Sequence, residues 1–341
     1  MLKSYIGKVI EKTDLTENEA IEAMNIIMDG NATQAQIGSL ITALRMKGET
    51  IDEITGFAKV MRFKAERIVP EVEFCIDTCG TGGDGANTFN VSTAATFVVS
   101  AAGVPVAKHG NRSVSSQCGS ADVLEALGCR IDLEPQKVKE CIEKIGIGFM
   151  FAPNFHKSMK NAAGPRKELG IRTVFNILGP LTNPASANGQ LMGVFKADLT
   201  EKMAKVLEKL GTERALVIHG SDGLDEITLG GPTFITELAD GVVKSYTICP
   251  EDYGLESMDV SKIKGGDKML NASIVKDILR GKSGATREIV VLNSAAALYV
   301  GKKVESIADG IKMAREIIDS GKALQRLKEF VELTNALAEI G

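Results

Sequence analysis

The chain has 341 residues, long enough for two domains or one large one and for a sizeable buried core. Its 44% apolar and 25% charged residues fit a soluble globular protein, and a formal net charge of -4 gives no overall field for nucleic acid, so any anion site must be local. Six cysteines (Cys75, Cys79, Cys118, Cys129, Cys141, Cys249) lack paired metal-binding spacing and read as reduced thiols; with no secretory leader or membrane-length apolar run in view, a cytoplasmic setting is expected, with no membrane and no nucleic-acid partner.

Residues 1–67 read as short amphipathic helices. In LTENEAIEAMNIIMDG, Ile21, Met24, Ile27 and Met28 recur at helical spacing between the cap Thr16 and the stop Gly30. TQAQIGSLITALRMKG and TIDEITGFAKVMRFKA repeat the pattern. The rhythm changes at Pro70, after which strand and helix alternate: FCIDTC, STAATFVVSAAG, VPVAKHG, SADVLEALG, CRIDL, QKVKECIEKIG and IGFMFAP. This predicts a parallel sheet with crossover helices. From about 160 to 187, glycines and prolines interrupt and no strand is expected. The alternation resumes with QLMGVF, TEKMAKVLEKLG and ALVIHG; residues 233–248 read as a hairpin around ADG, and the chain from Thr286 onwards as helices.

The glycine loop GTGGDG, residues 80–85, follows a strand and precedes a helix and satisfies GxGxxG. A dinucleotide site would also need an acidic residue about 20 positions later for the ribose hydroxyls. None lies between Asp84 and Asp122; the next strand ends in Lys108 and His109 instead. The loop suits a more highly charged anion. Bare glycines let backbone amides converge on phosphate oxygens, the following helix adds its dipole, and Asn90, Ser92 and Thr93 offer short polar groups. Lys108 and Arg112, in KHGNRSVSS, supply positive charge. Taken alone, the first stretch also reads as a tight turn and the second as a solvated loop. Gly281-Lys282-Ser283 is no P-loop, because Lys276 stands where the first glycine is needed.

Asp225 and Glu226 are adjacent in a glycine-rich loop after ALVIHG. Beside phosphate they would repel it unless a divalent cation lay between, and Mg²⁺ binds in that way; adjacent acids also occur elsewhere in this chain as surface pairs. Arg166, after Gly164-Pro165, fits either a surface salt bridge or a carboxylate fork. His156 and His219 read as packing or surface residues, whereas His109 lies inside the basic loop.

In combination GTGGDGANTFNVST, KHGNRSVSS, GSADVLEALG, RKELGIRTVFNILGPLTNPA and HGSDGLDEIT make the chain resemble, essentially end to end, the anthranilate phosphoribosyltransferase family. The resemblance implies an α/β protein with a small all-helical domain plus a larger α/β domain with a mostly parallel central sheet. Residues 1–70, with roughly 160–187, would form the helical, dimerising part, and 71–159 with 188–341 the part that binds phosphoribosyl pyrophosphate. The implied reaction moves the 5-phosphoribosyl group to the amine of anthranilate, releasing pyrophosphate, in tryptophan biosynthesis, in a homodimer with two Mg²⁺ ions per subunit. Carried over by position, Gly80, Gly83, Asp84, Thr88, Asn90, Val91, Ser92 and Thr93 contact the sugar donor. The cradle is completed by Lys108, His109, Gly110, Asn111, Arg112, Ser113, Val114, Ser115, Ser116 and Ser120. Gly80, Asn111 and Arg166 fall to anthranilate, and Ser92, Asp225 and Glu226 to the metal.

Three stretches depart from the family pattern: Ser113 in the basic loop, Asn154-Phe155-His156, and Gly164-Pro165. The last two bear on the anthranilate side. Displacement at the anomeric carbon, through an oxocarbenium-like state, needs no protein nucleophile, and no clear general base is evident beyond the candidate His109. The rival readings are a pyrimidine nucleoside phosphorylase, whose KHSTGG-like loop is missing here, and a non-catalytic nucleic-acid-binding relative, which would have a basic surface and degraded motifs.

Overall fold

The computed structural model describes residues 1–113 and 117–339, so Val114, Ser115 and Ser116 of the expected cradle lie outside the described residues. The N-terminal helices are α1 Leu2–Ile10, α2 Glu17–Met28, α3 Gln34–Lys47 and α4 Ile51–Lys64. The last three each start at a threonine, Thr16, Thr33 or Thr50, in a reciprocal capping box with Glu19, Gln36 or Glu53. Glu53 is fully buried, yet its carboxylate is satisfied: it accepts from the Leu15 amide at 2.9 Å, the Thr50 amide at 2.8 Å and Lys47 at 3.0 Å.

The alternating part begins with β1 Ile76–Gly80, α5 Val91–Ala101, β2 Val106–Gly110, α6 Ser120–Leu127, α7 Pro135–Ile145 and β3 Ile147–Phe151. The chain then returns to the helical layer as α8 Ala152–Phe155, α9 Lys160–Leu169 and α10 Phe175–Leu178. It resumes with β4 Gly189–Gly193, α11 Leu199–Lys209, β5 Arg214–Gly220 and the hairpin β6 Thr233–Ala239 and β7 Val242–Ile248. Asp240 and Gly241 both have positive φ, 50° and 71°, which the two-residue hairpin turn requires. Four helices close the chain: α12 Lys268–Leu279, α13 Ala285–Val300, α14 Ile307–Asp319 and α15 Lys322–Glu339.

The seven strands run in the order β3-β2-β1-β4-β5-β6-β7, with β1 to β5 parallel and the hairpin antiparallel. Side chains alternate across the sheet. On β5, Leu216 and Ile218 enter the apolar cluster formed with α5 and α13, while Ala215 and Val217 enter the one formed with α1–α4 and α11. The sheet therefore has two filled faces. Arg62 of α4 fastens the helical layer across the second, donating to the carbonyls of Leu181 at 2.7 Å and Leu210 at 3.2 Å.

One element departs from expectation. Cys129–Leu133, with its strand-like alternation, joins no sheet. It follows the left-handed Gly128 that ends α6, and the Arg130 amide bonds the Thr334 hydroxyl of α15 instead of a strand. Burial of Cys129, Ile131 and Leu133 accounts for the pattern that suggested a strand. Helix α12, which the sequence reading did not mark, starts at Asp267, whose carboxylate accepts from the amides of Met269 and Leu270.

Candidate active site

In an open α/β sheet, ligands bind beyond the carboxyl ends of the strands where the strand order reverses. Here that point lies between β1 and β4, whose last residues, Gly80 and Gly193, stand side by side. Both must be glycine. A Cβ at Gly80 would collide with the Asp225 carboxylate, and one at Gly193 would collide with the Asp225 backbone carbonyl. The acidic loop thus sits directly on the two strand tips. The Gly82 amide donates to Asp225 Oδ2 at 2.7 Å, and Gly82, Gly83 and Gly85 all hold positive φ, 63°, 76° and 78°. The sharp loop bares its amides, as only glycine permits at low cost.

The neighbouring charges converge on this junction. Lys108 on β2 is buried, and its ammonium donates to the Thr78 carbonyl and, at 3.3 Å, to the Ser92 hydroxyl in the first turn of α5. Burial lowers its pKa, offset by Asp77 below it and by Glu226. Asp77 is buried as well and accepts from Asn183 at 2.8 Å and from the His109 amide at 3.2 Å. Burial, and then the neighbouring Asp225, push Glu226 up to about 8; Lys108 and the Ser92 amide pull the other way. Asp225 is likewise raised, first by burial and then by Asp84. Three carboxylates are therefore crowded together with too little positive charge between them.

Among the described residues, no group of three or more His, Cys, Asp or Glu side chains forms a ready metal cage. Mg²⁺ does not ask for one: it keeps waters and takes one or two carboxylates plus phosphate oxygens. The hard oxygen donors Asp225, Glu226 and Ser92 suit it, and the mutual repulsion of the acids is what a divalent ion would relieve.

The next loop is held from its far end. Asp122 in α6 accepts from the amides of Ser113 at 3.1 Å and Gly119 at 2.8 Å, tying the two ends of the loop together. Arg112 does not reach toward the glycine loop; its guanidinium forks Glu125 at 2.6 and 2.7 Å, touches Asp122 at 3.1 Å, and lies over the Phe151 ring. Gly110 and Ser120 pack together, and Ser120 donates to the Asn111 carbonyl at 3.3 Å. Asn90 bridges to Cys118 and to Asn271 of α12, at 3.1 Å each, while Thr88 forms an isolated bridge with Lys264. Val91 and Thr93 are buried in α5, and the Thr93 hydroxyl has no partner.

On the side of the helical layer, Arg166 of α9 is half-buried over the Phe175 ring, 5.1 Å from its centroid. Burial lowers its pKa, and among the described residues it forms no ion pair with a carboxylate. The rings of His109 and His156 lie 5.0 Å apart, both buried and both with an unpartnered Nε2. Burial pushes them down to about 3 and about 4 respectively, so both are neutral imidazoles at physiological pH. A general base is most effective with a pKa near the working pH, so His109 is better fitted to accept a hydrogen bond than to take a proton.

Two family models match in sequence: a glycosyl transferase family helical bundle domain over residues 3–65 and a glycosyl transferase family a/b domain over residues 73–324. The anthranilate phosphoribosyltransferase of Acetivibrio thermocellus is 64% identical over 336 residues, spanning 98% of this chain and 97% of that protein. The chain belongs to the anthranilate phosphoribosyltransferase family. Solved members of the family superpose closely. The Thermus thermophilus enzyme matches with a TM-score of 0.92 at 41% identity, covering 97% of this chain and 99% of its own. The Saccharomyces cerevisiae enzyme, determined with phosphoribosyl pyrophosphate and Mg, matches with a TM-score of 0.90 at 29% identity, covering 98% of both chains.

Of the residues expected from resemblance to the anthranilate phosphoribosyltransferases, the fold gathers Gly80, Asp84, Ser92, Lys108, Asp225 and Glu226 at one junction. It sets Arg112 apart with Glu125, and Arg166 against Phe175. Sequence reasoning assigned nothing to Asp77, Asp122 or Arg172. Arg172 lay in a quoted motif, but its partner Gly83 is distant in sequence and could not be read from spacing; Asp122, whose partners Ser113 and Gly119 are close in sequence, was read only as the end of an acid-free stretch.

Proposed function

We infer that this protein transfers the 5-phosphoribosyl group of phosphoribosyl pyrophosphate to the amine of anthranilate, giving N-(5-phosphoribosyl)anthranilate and pyrophosphate, the tryptophan-biosynthetic reaction of its family. The observation that carries the reading is the convergence, at the β1–β4 switch point, of bare glycine amides, buried Lys108 and the Asp225-Glu226 pair. Such a site grips a diphosphate and has no nucleophile to offer, and none is needed.

The amides of the glycine loop, the first turn of α5 and Lys108 hold the pyrophosphate end of the donor. Ser92, Asp225 and Glu226 would hold Mg²⁺, with Asp84 close by; three carboxylates support two ions per subunit. Bound there, the metal would neutralise charge growing on the leaving group. Arg166 takes the anthranilate carboxylate, supported by its having no carboxylate partner among the described residues, and so aims the amine at the anomeric carbon. We propose residues 1–70 with roughly 160–187 as the helical part and a homodimer built through it, supported by the exposed Ile10 and Met46 on α1 and α3. A cytoplasmic setting agrees with a chain in which no helix of the described residues is long and apolar enough to cross a membrane.

The test follows anthranilate fluorescence with and without the sugar donor and Mg²⁺. Loss of signal only when both are present is expected; no loss with both, or equal loss without the donor, overturns the reading.

A further inference from the structure

We propose that Arg172 is a positioning residue that clamps the glycine loop from the helical side and so sets the affinity for the diphosphate end of the sugar donor. This rests on the reaction inferred above and goes beyond it by adding a residue on a different body of the protein. Arg172 lies between α9 and α10. The following residues Phe175, Ile177 and Leu178 are anchored in the apolar core of the helical layer. The guanidinium reaches back to the α/β side, where it lies over the Phe195 ring, 4.5 Å from the centroid, and donates to the Gly83 carbonyl.

Phe195 is itself tied to the same loop. Its amide donates to the Thr81 hydroxyl at 3.2 Å, and the Thr81 amide donates to the Gly193 carbonyl at 2.9 Å. Phe195 is thus a fixed platform, and Arg172 stacks on it as guanidinium planes do on aromatic faces. Gly83 leaves room for it: a Cβ there would stand 2.9 Å from the guanidinium. Among the described residues Arg172 has no carboxylate partner, so nothing but the Gly83 carbonyl and the Phe195 ring accounts for where it is held.

The consequence for the donor site follows from peptide geometry. In a trans peptide the carbonyl and the next amide point in opposite directions. By drawing the Gly83 carbonyl toward itself, Arg172 turns the Asp84 amide away from the helical side. One of the loop's bare donors is therefore aimed by a side chain that phosphate need never touch. Because the clamp joins the two bodies, the loop keeps this shape only while the helical layer is docked.

The test is calorimetric titration of phosphoribosyl pyrophosphate with Mg²⁺ into the full-length protein, beside steady-state kinetics. Arg172→Ala should weaken donor binding about tenfold, the loss of one charge-assisted hydrogen bond, while the anthranilate KM stays within about twofold. Arg172→Lys should not restore binding, since a compact ammonium cannot both stack and reach the carbonyl. Phe195→Leu should weaken donor binding by a smaller factor. A donor Kd within twofold of the parent protein in Arg172→Ala overturns the proposal, and so does an equal loss for both substrates, which would mark a merely structural residue. A parent protein that binds no donor at all would instead overturn the inferred reaction.

Discussion

Replacing Gly193 by alanine tests how the acidic pair is seated. Gly193 touches no expected ligand. Its role is to let the Asp225 loop rest on the tip of β4. An added Cβ would stand 2.5 Å from the Asp225 carbonyl carbon and 3.0 Å from its Cβ, whereas ordinary contact starts at 3.4 Å. The obstacle is backbone, which cannot swing aside like a flexible side chain, and the Asp225 carbonyl oxygen is nearer still, so Asp225 and Glu226 must retreat by at least about 1 Å, at an overpacking cost of about 1–3 kcal/mol or more. A displacement of about 1 Å in groups that position a reaction lowers turnover on the order of 100-fold. The assay is the initial rate of anthranilate fluorescence loss across a Mg²⁺ titration, with melting curves to show that the variant folds. The Mg²⁺ midpoint should move to higher concentration and the saturated rate should fall. A folded Gly193→Ala protein with the parent rate and the parent Mg²⁺ midpoint would refute the argument that this contact fixes the metal-binding acids.

Titration of the acids gives a second expectation. Folding raises Glu226 to about 8, so in the metal-free protein the folded state holds a proton that the unfolded chain has already shed, and stability falls as pH rises toward 8. His109 and His156, lowered by burial, act the other way, but only below the unfolded histidine value of 6.5. Melting temperatures with a chelator should therefore drop between about pH 6.5 and 8, and Mg²⁺ should reverse the drop; a metal-free rise over that window contradicts the placement. Arg166→Ala should raise the anthranilate KM at least about tenfold while the donor KM changes little, the cost of losing one carboxylate fork; equal changes in both speak against that role. With His109 held near 3, the kcat profile should show no limb near pH 6.5 from this residue, and His109→Gln should leave the shape of the profile intact while lowering its height. A limb that vanishes in that variant would restore His109 as a proton acceptor.

Much of this architecture was legible because it is local. The helix caps Thr16, Thr33 and Thr50, the glycine loop and the hairpin turn at Asp240-Gly241 are written within a few residues of where they act. That the glycine loop and the strand end carrying Lys108 lie side by side was legible for a related reason: β1 and β2 are adjacent strands, so consecutive strand-end loops meet. Contacts made across long separations were not. Cys129–Leu133 alternates like a strand, but whether it finds an edge to pair with is decided by α15, some two hundred residues later. Arg112 reads as a phosphate ligand by position; that it also forks Glu125 and touches Asp122 on the next helix, although both are near in sequence, depends on how the loop folds back over α6. The clamp of Arg172 on Gly83 depends on an excursion of the chain through the helical layer that no spacing rule reveals.

The alternation of β5 between two packed clusters bears on where the chain can be divided. Cutting near residue 70 looks natural from the change of rhythm in the sequence. But Met192, Val194, Ala215 and Val217 are covered by the same core that holds Leu40, Phe57 and Met61. A fragment beginning at 71 would leave that aliphatic surface wet, and the severed four-helix piece would lose its lid. The two parts are thus mutual chaperones: each supplies the other's missing interior, and neither is a portable module for grafting onto another protein.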